Sequence, residues 1–243
     1  MQFVISSVLG YLFGCISPSY IISRMKGFDI REKGTGNAGA TNVMFTLGFW
    51  AGLGVLLFDI AKTGIVVRIV SYFFSEERLC PVITGITCAL GHVFPFHMKF
   101  RGGKGTACLA GTVLFLTPKL FLPMVFIVFI VGIIFNYGSI LPIVAVSLYP
   151  FLYYFHTRYA AGAFLLILLI PLLLFSHRKN FVNYKNGKES KFRDVVLKRD
   201  LDSCIERTGE TVCSDDADKL IEGLSGTFTE SESIDAEPNE NEE

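Results

Sequence analysis

Long apolar runs follow one another from the first residues to about residue 176, and they leave few folds open. Seven can be marked, near 2–23, 50–74, 80–96, 106–117, 120–135, 139–155 and 159–176. A helix that crosses a bilayer needs about 20 apolar residues, fewer where the bilayer thins or the segment re-enters. The fourth and fifth runs are short and separated only by "TPKL". Hydrophobic residues make up 51% of the chain and the mean hydropathy is +0.48, too apolar for an ordinary soluble domain. The expected class is an all-α, polytopic integral membrane protein with about seven transmembrane helices. The first run, "MQFVISSVLGYLFGCISPSYII", lacks a basic leader and a small-x-small cleavage site, so it reads as a retained span.

The connections sort by charge. Arg24, Lys26, Arg31 and Lys33 fall in the first, Lys99, Arg101 and Lys104 in the third, and eight Lys/Arg between 177 and 199. With seven spans all of these lie on one side, while the opposite connections carry only Arg78, Lys119 and Arg158. The positive-inside rule then puts the basic side in the cytoplasm, with the N-terminus outside and the C-terminus inside. Residues 201–243 hold fourteen acidic and two basic residues. The expected organisation is a membrane domain over 1–199 and an acidic, disordered cytoplasmic tail over 200–243.

Six cysteines show no CxxC pair, and His92 and His97 are five apart, about 140° around a helix axis. No metal site or disulfide framework is expected. No Ser-His-Asp or Cys-His arrangement is legible either, which argues against a covalent nucleophile.

The basic connections are unusual in another way. The first contains "GTGNAGATN" (34–42) and the third "RGGKGTA" (101–107). Glycine lets backbone amides approach an anion, and a lysine neutralises it. The Walker A spacing is absent, so each loop alone also reads as a glycine hinge beside cytoplasmic positive charge. Asp59 and Lys62 stand at i and i+3 inside the second run. Charges at that depth need a partner or a polar cavity, so they form either a structural ion pair or a cavity wall. His177 and Asn180 open the segment after the last run, where the histidine is an interfacial residue, a base or a phosphate-binding cation.

The stretches "GYLFGCISPSYIISRMKGFDIREKGTGNAGATN", "FDIAKTG", "GHVFPFHMKFRGGKGTA" and "HRKN…NGKE" occur in this order over residues 8–192. Together they resemble the bacterial acyl-phosphate:glycerol-3-phosphate acyltransferase family. The resemblance implies a seven-helix membrane enzyme that moves an acyl group from acyl phosphate to the 1-hydroxyl of glycerol 3-phosphate. Lysophosphatidic acid and inorganic phosphate are the implied products, in the first step of phospholipid synthesis. No cofactor, metal or nucleic acid is implied. The implied setting is a bacterial inner membrane, with the site facing the cytoplasm and a functional link to an enzyme that forms acyl phosphate.

Residue by residue, the resemblance assigns catalytic roles to Lys104, His177 and Asn180. It assigns substrate binding to Thr35, Gly36, Asn37, Gly102, Gly103, Gly105 and Ser139, and a structural role to Glu189 beside Asp59 and Lys62. Three positions depart from the family pattern. Thr35 stands for a serine, Phe45 for an arginine three residues beyond the motif's last asparagine, and Pro142 for a second serine after Ser139. Arg24, Arg31, Lys33 and Arg101 are the candidates to replace the arginine. Two other classes fit the same polar loops: a degenerate membrane scaffold, and a small-anion transporter.

Overall fold

The computed structural model describes residues 1–186. Eleven α-helices and two short 3-10 turns make up the described residues, without a strand. In order they are α1 (Gln2–Cys15), α2 (Pro18–Met25), α3 (Ala40–Leu47), α4 (Phe49–Phe73), α5 (Leu79–Val93), α6 (Thr106–Leu116), α7 (Pro118–Phe135), α8 (Ile140–Thr157), α9 (Ala160–Leu166), α10 (Leu169–Ser176) and α11 (Arg178–Lys185). Each of the seven apolar runs becomes helix, two of them broken. Four spans are long and apolar enough to cross a membrane, five if the bent α9–α11 stretch counts as one. The other two runs stand outside that count: α4, which carries Asp59, Lys62 and Arg68, and α6, which has only 11 residues. The expected acidic tail and Glu189 lie outside the described residues.

Proline sets the breaks. Pro18 has no amide proton, and Ser17 before it is extended (ψ 98°), as is Ile16 (ψ 111°), so α1 ends and α2 restarts. Pro171 would press on the carbonyl four residues back, at Ile167, where α9 gives way to α10 through tightened i→i−3 bonds. Thr117–Pro118 ends α6 and starts α7 with proline in the first turn.

The first and fifth helices pack most closely. Ser6, Gly10 and Gly14 form a small-residue stripe on α1 that meets Thr84, Cys88 and Gly91 of α5. A side chain on Gly14 would run into the Cys88 carbonyl, and one on Gly91 into the Tyr11 carbonyl. Lipid offers no hydrophobic drive between spans, so such backbone approach is how they adhere. Around this pair Val66, Leu109, Tyr149, Leu166 and Leu173 fill the core, while Leu122, Ile134, Phe155 and Phe164 stay exposed on the rim.

Contacts sort the connections onto two ends. At one, Gln2 reaches Glu77 and Arg78 reaches the Thr157 carbonyl and the Tyr159 ring. At the other, Arg31 reaches the Met98 carbonyl, Ser176 the Lys104 carbonyl, and Tyr184 the Tyr137 ring. The second end gathers the glycine-rich loops, as the charge pattern implied.

Candidate active site

The first loop is built by buried polar side chains. Asp29 caps a 3-10 turn (Ile30–Glu32), accepting from the Arg31 amide at 3.0 Å. Its carboxylate also takes Arg31 Nε at 2.9 Å, Arg31 Nη2 at 2.6 Å and Arg24 Nη2 at 3.0 Å. The Arg31 hydrogen bonds, with the nearby Arg24 charge, hold the Asp29 carboxyl down to about 2. Arg31 Nη1 then donates to the Met98 and Arg101 carbonyls, at 2.7 and 3.2 Å, and ties this loop to the second. Asn42 closes the turn from within: its Oδ1 accepts the Thr35 amide at 2.7 Å, and its Nδ2 donates to the Ile30 and Lys33 carbonyls. Gly36 takes a left-handed φ of 68°, and its amide is bonded to the Lys33 carbonyl. Ser19 fastens the far side of the loop through the Ala38 carbonyl. Asn37 and Thr35 keep partly open side chains.

The second loop lies against the end of α5. The Gly102 amide donates to the Val93 carbonyl and the Gly103 amide to the His92 carbonyl, both at 3.0 Å. Any side chain on Gly102 would meet the His92 carbonyl and the Pro95 ring. These two glycines therefore serve by being small, and their amides are not free to cradle a phosphate. Gly105, at φ 83°, turns the chain into α6, whose first amides have no partner within the helix.

Lys104 is half-buried between Gly103 and Gly105, and its carbonyl accepts from Ser176 Oγ at 2.8 Å. His177, which caps α10, is buried and follows Ser176, whose hydroxyl holds the Lys104 carbonyl. His177 Nδ1 stands 2.9 Å from the Leu173 carbonyl. A carbonyl only accepts, so Nδ1 holds the proton and the neutral ring presents Nε2 as an acceptor. Asn180 follows in the first turn of α11, its amide bonded to the His177 carbonyl at 2.8 Å. Ser139 is buried at the start of α8, at the same end.

From Thr106 an apolar groove of about 310 Å³ runs between α6, α7 and α8. Leu109, Val113, Met124, Val128, Pro142 and Ala145 line it, and Thr106 is its one polar wall residue. Deeper in the bundle, Lys62 Nζ donates to the Gly14 carbonyl at 3.1 Å and the Ile16 carbonyl at 2.5 Å. It also sits 2.7 Å from Asp59 and 3.1 Å from His92 Nδ1. Asp59 and Lys62 are thus an ion pair, and the ammonium caps carbonyls that the α1–α2 break set free.

A glycerol-3-phosphate acyltransferase family model matches residues 4–187. The chain belongs to the glycerol-3-phosphate acyltransferase family. A relative from Wolbachia pipientis wMel, a glycerol-3-phosphate acyltransferase by name, is 36% identical over 79% of this chain and 99% of its own length. One from Bacillus subtilis (strain 168), of the same name, is 35% identical over 76% and 95%. Two crystal structures of PlsY (YgiH), an integral membrane glycerol 3-phosphate acyltransferase, share the fold. The glycerol 3-phosphate form superposes with a TM-score of 0.73 at 29% identity, covering 81% of this chain and 98% of that one. The lysophosphatidic acid form gives 0.69 at 30%, covering 79% and 95%.

The structure gathers Lys104, His177, Asn180, Gly102, Gly103 and Gly105 at one place, with Thr35, Gly36 and Asn37 on the loop that Arg31 ties to it. Among the candidates to replace the family's arginine, Arg24 and Arg31 are already committed to Asp29, and Lys33 lies over the Phe28 ring. Pro142 sits in the groove wall. Sequence reasoning passed over Asn42, Asp29 and His92. The first two carried a signal, as the last residue of the quoted motif and as an acid between two arginines. His92 carried none, because its charged partners, Lys62 and Asp59, lie 30 and 33 residues away on α4.

Proposed function

We propose that the chain transfers an acyl group from acyl phosphate to the 1-hydroxyl of glycerol 3-phosphate, at the end of the bundle where its glycine-rich loops meet. Lysophosphatidate and inorganic phosphate leave. With seven crossings this end faces the cytoplasm of a bacterial inner membrane, because it holds the basic connections. One observation carries the reading: Lys104, held to Ser176 next to His177, precedes by two residues Thr106, the one polar residue in the wall of an otherwise apolar groove. A phosphate head and a fatty chain, joined in one donor, match that polarity.

In this reading the acyl chain lies along Leu109, Met124 and Ala145, with the mixed anhydride near Thr106. Lys104 and the first amides of α6 take the donor's phosphate and the charge that grows on the carbonyl oxygen. Asn180 and the first loop hold glycerol 3-phosphate, and His177 Nε2 accepts the hydrogen bond of its 1-hydroxyl. That oxygen attacks the carbonyl carbon, the bond to phosphate breaks, and the hydroxyl proton ends on the released phosphate. An anhydride is already activated, so no acyl-enzyme step is required.

Donor choice tests the reading. Purified chain supplied with labelled glycerol 3-phosphate is expected to make lysophosphatidate from palmitoyl phosphate and none from palmitoyl-CoA. Product from the thioester alone, or anion flux in vesicles without product, would reject it. His177→Gln is expected to lower kcat more than it raises the KM for glycerol 3-phosphate; a pure KM effect would remove the hydroxyl from its role.

A further inference from the structure

His92 takes no part in the chemistry above, yet its ring and its main chain both meet the glycine loop. Its ring is buried on α5 between the Lys62 ammonium and Gly103. An ammonium has no lone pair to offer, so Nδ1, 3.1 Å away, is the acceptor and the ring proton rides on Nε2. That edge faces the glycine loop: a Cβ built on Gly103 meets Nε2, Cδ2 and Cε1 of the ring before any other atom. His92 also holds Gly103 through its main chain, its carbonyl accepting the Gly103 amide at 3.0 Å. Lys104 is the next residue.

On the other side, Lys62 is fixed by Asp59 and by the Gly14 and Ile16 carbonyls. One ammonium thereby caps the α1–α2 break, meets the end of α5 and, through the imidazole, bears on the path of the loop. Stability alone is a weak reason to keep such a group, since well-packed apolar residues commonly do as well as a buried ion pair. We propose that His92, held by Lys62 and Asp59, is a positioning residue for acyl transfer: it fixes Gly103 and so aims Lys104 without touching either substrate. This rests on the transferase reading.

The test compares His92→Asn, His92→Gln, His92→Ser, Gly103→Ala and the His92→Ser/Gly103→Ala double variant with the full wild-type chain. Each is assayed with palmitoyl phosphate and glycerol 3-phosphate and melted in the same detergent. Asn keeps an acceptor where Nδ1 was, so Lys62 stays paired, but it loses the edge that meets Gly103. Its melting point is expected near wild type while kcat falls by about ten- to a hundredfold, the usual cost of a reacting group displaced by about an ångström. Gln, whose amide reaches towards the Nε2 position, is expected to recover part of that loss. Gly103→Ala is expected to abolish turnover by collision with the ring. Adding His92→Ser makes room, so the double variant should be more stable and more active than Gly103→Ala alone.

His92→Asn with unchanged kcat per folded enzyme overturns the proposal, as does strict additivity of the Gly103 and His92 changes. A wild-type chain without turnover, in which the stability coupling persists, rejects the transferase reading and with it the positioning role. A turning-over wild type with unaffected variants rejects positioning alone.

Discussion

Replacing Lys62 by methionine should damage this fold more than any surface change. Methionine keeps the length and apolar stem of the side chain, so the cost is electrostatic. The Asp59 side chain is 2% exposed and loses its counter-charge, which costs about 3–5 kcal/mol for a buried pair broken on one side. The Gly14 and Ile16 carbonyls also lose a donor, at about 1–3 kcal/mol each when buried acceptors go unpaired. Together the loss is roughly 5 kcal/mol or more, within reach of the whole stability of an ordinary domain. The double variant Asp59→Asn/Lys62→Met removes both charges and should be more stable than Lys62→Met alone by about 3 kcal/mol, because the carbonyls and His92 still lack the ammonium but no buried charge is left without its partner. Unfolding of purified chain by denaturing detergent, followed by circular dichroism, reads both numbers. Lys62→Met within about 1 kcal/mol of wild type, or a double variant less stable than the single, would refute the assignment of Asp59 and Lys62 to one buried pair.

Three further outcomes follow from the site. Asp29, held near 2 by its two arginines, has a folded value below its unfolded one. Its stabilisation is present above about pH 4 and fades as pH falls from about 4 towards 2. An acid melt should therefore show Asp29→Asn losing less stability over that window than wild type, and parallel curves would contradict it. Ala145→Phe fills the groove and should raise the KM for a long-chain donor by about tenfold or more while leaving that for glycerol 3-phosphate near its original value, measured by varying each substrate in turn. Phe45 shares a face of α3 with Asn42, three residues earlier, and arginine there restores the residue that the family pattern implies, a bidentate donor suited to phosphate. Phe45→Arg should lower the KM for glycerol 3-phosphate, and an unchanged KM would mean that the site already has its phosphate ligand elsewhere.

The helices were legible because apolar runs are local, and prolines 18, 118 and 171 punctuate them in plain sight. Which connections share an end was also legible, from charge alone. The site was legible as motifs but not as geometry. "GGKG" looks like a nest of free amides, whereas two of those amides are spent on the end of α5. Arg24 and Arg31 look like spare phosphate ligands, whereas Asp29, a single residue in the same loop, takes both. The polar chain from Asp59 through Lys62 to His92 was half visible. The i, i+3 pair can be read from a helix, but contact between α4 and α5 depends on how closely the stripe of small residues on α1 lets the helices approach. Long-range contacts of that kind follow from packing, and no single segment encodes them.

The central claim is direct transfer between two phosphate-bearing substrates in one site, and phosphorus NMR reads it most directly. Purified chain in detergent receives palmitoyl phosphate first and glycerol 3-phosphate afterwards. The account predicts no phosphate release before the acceptor is added. Palmitoyl phosphate and glycerol 3-phosphate should then disappear, and lysophosphatidate and inorganic phosphate appear, in equal amounts. Phosphate released steadily without acceptor, or glycerol 3-phosphate unchanged while the donor is consumed, would make the chain a hydrolase of acyl phosphate and contradict the account.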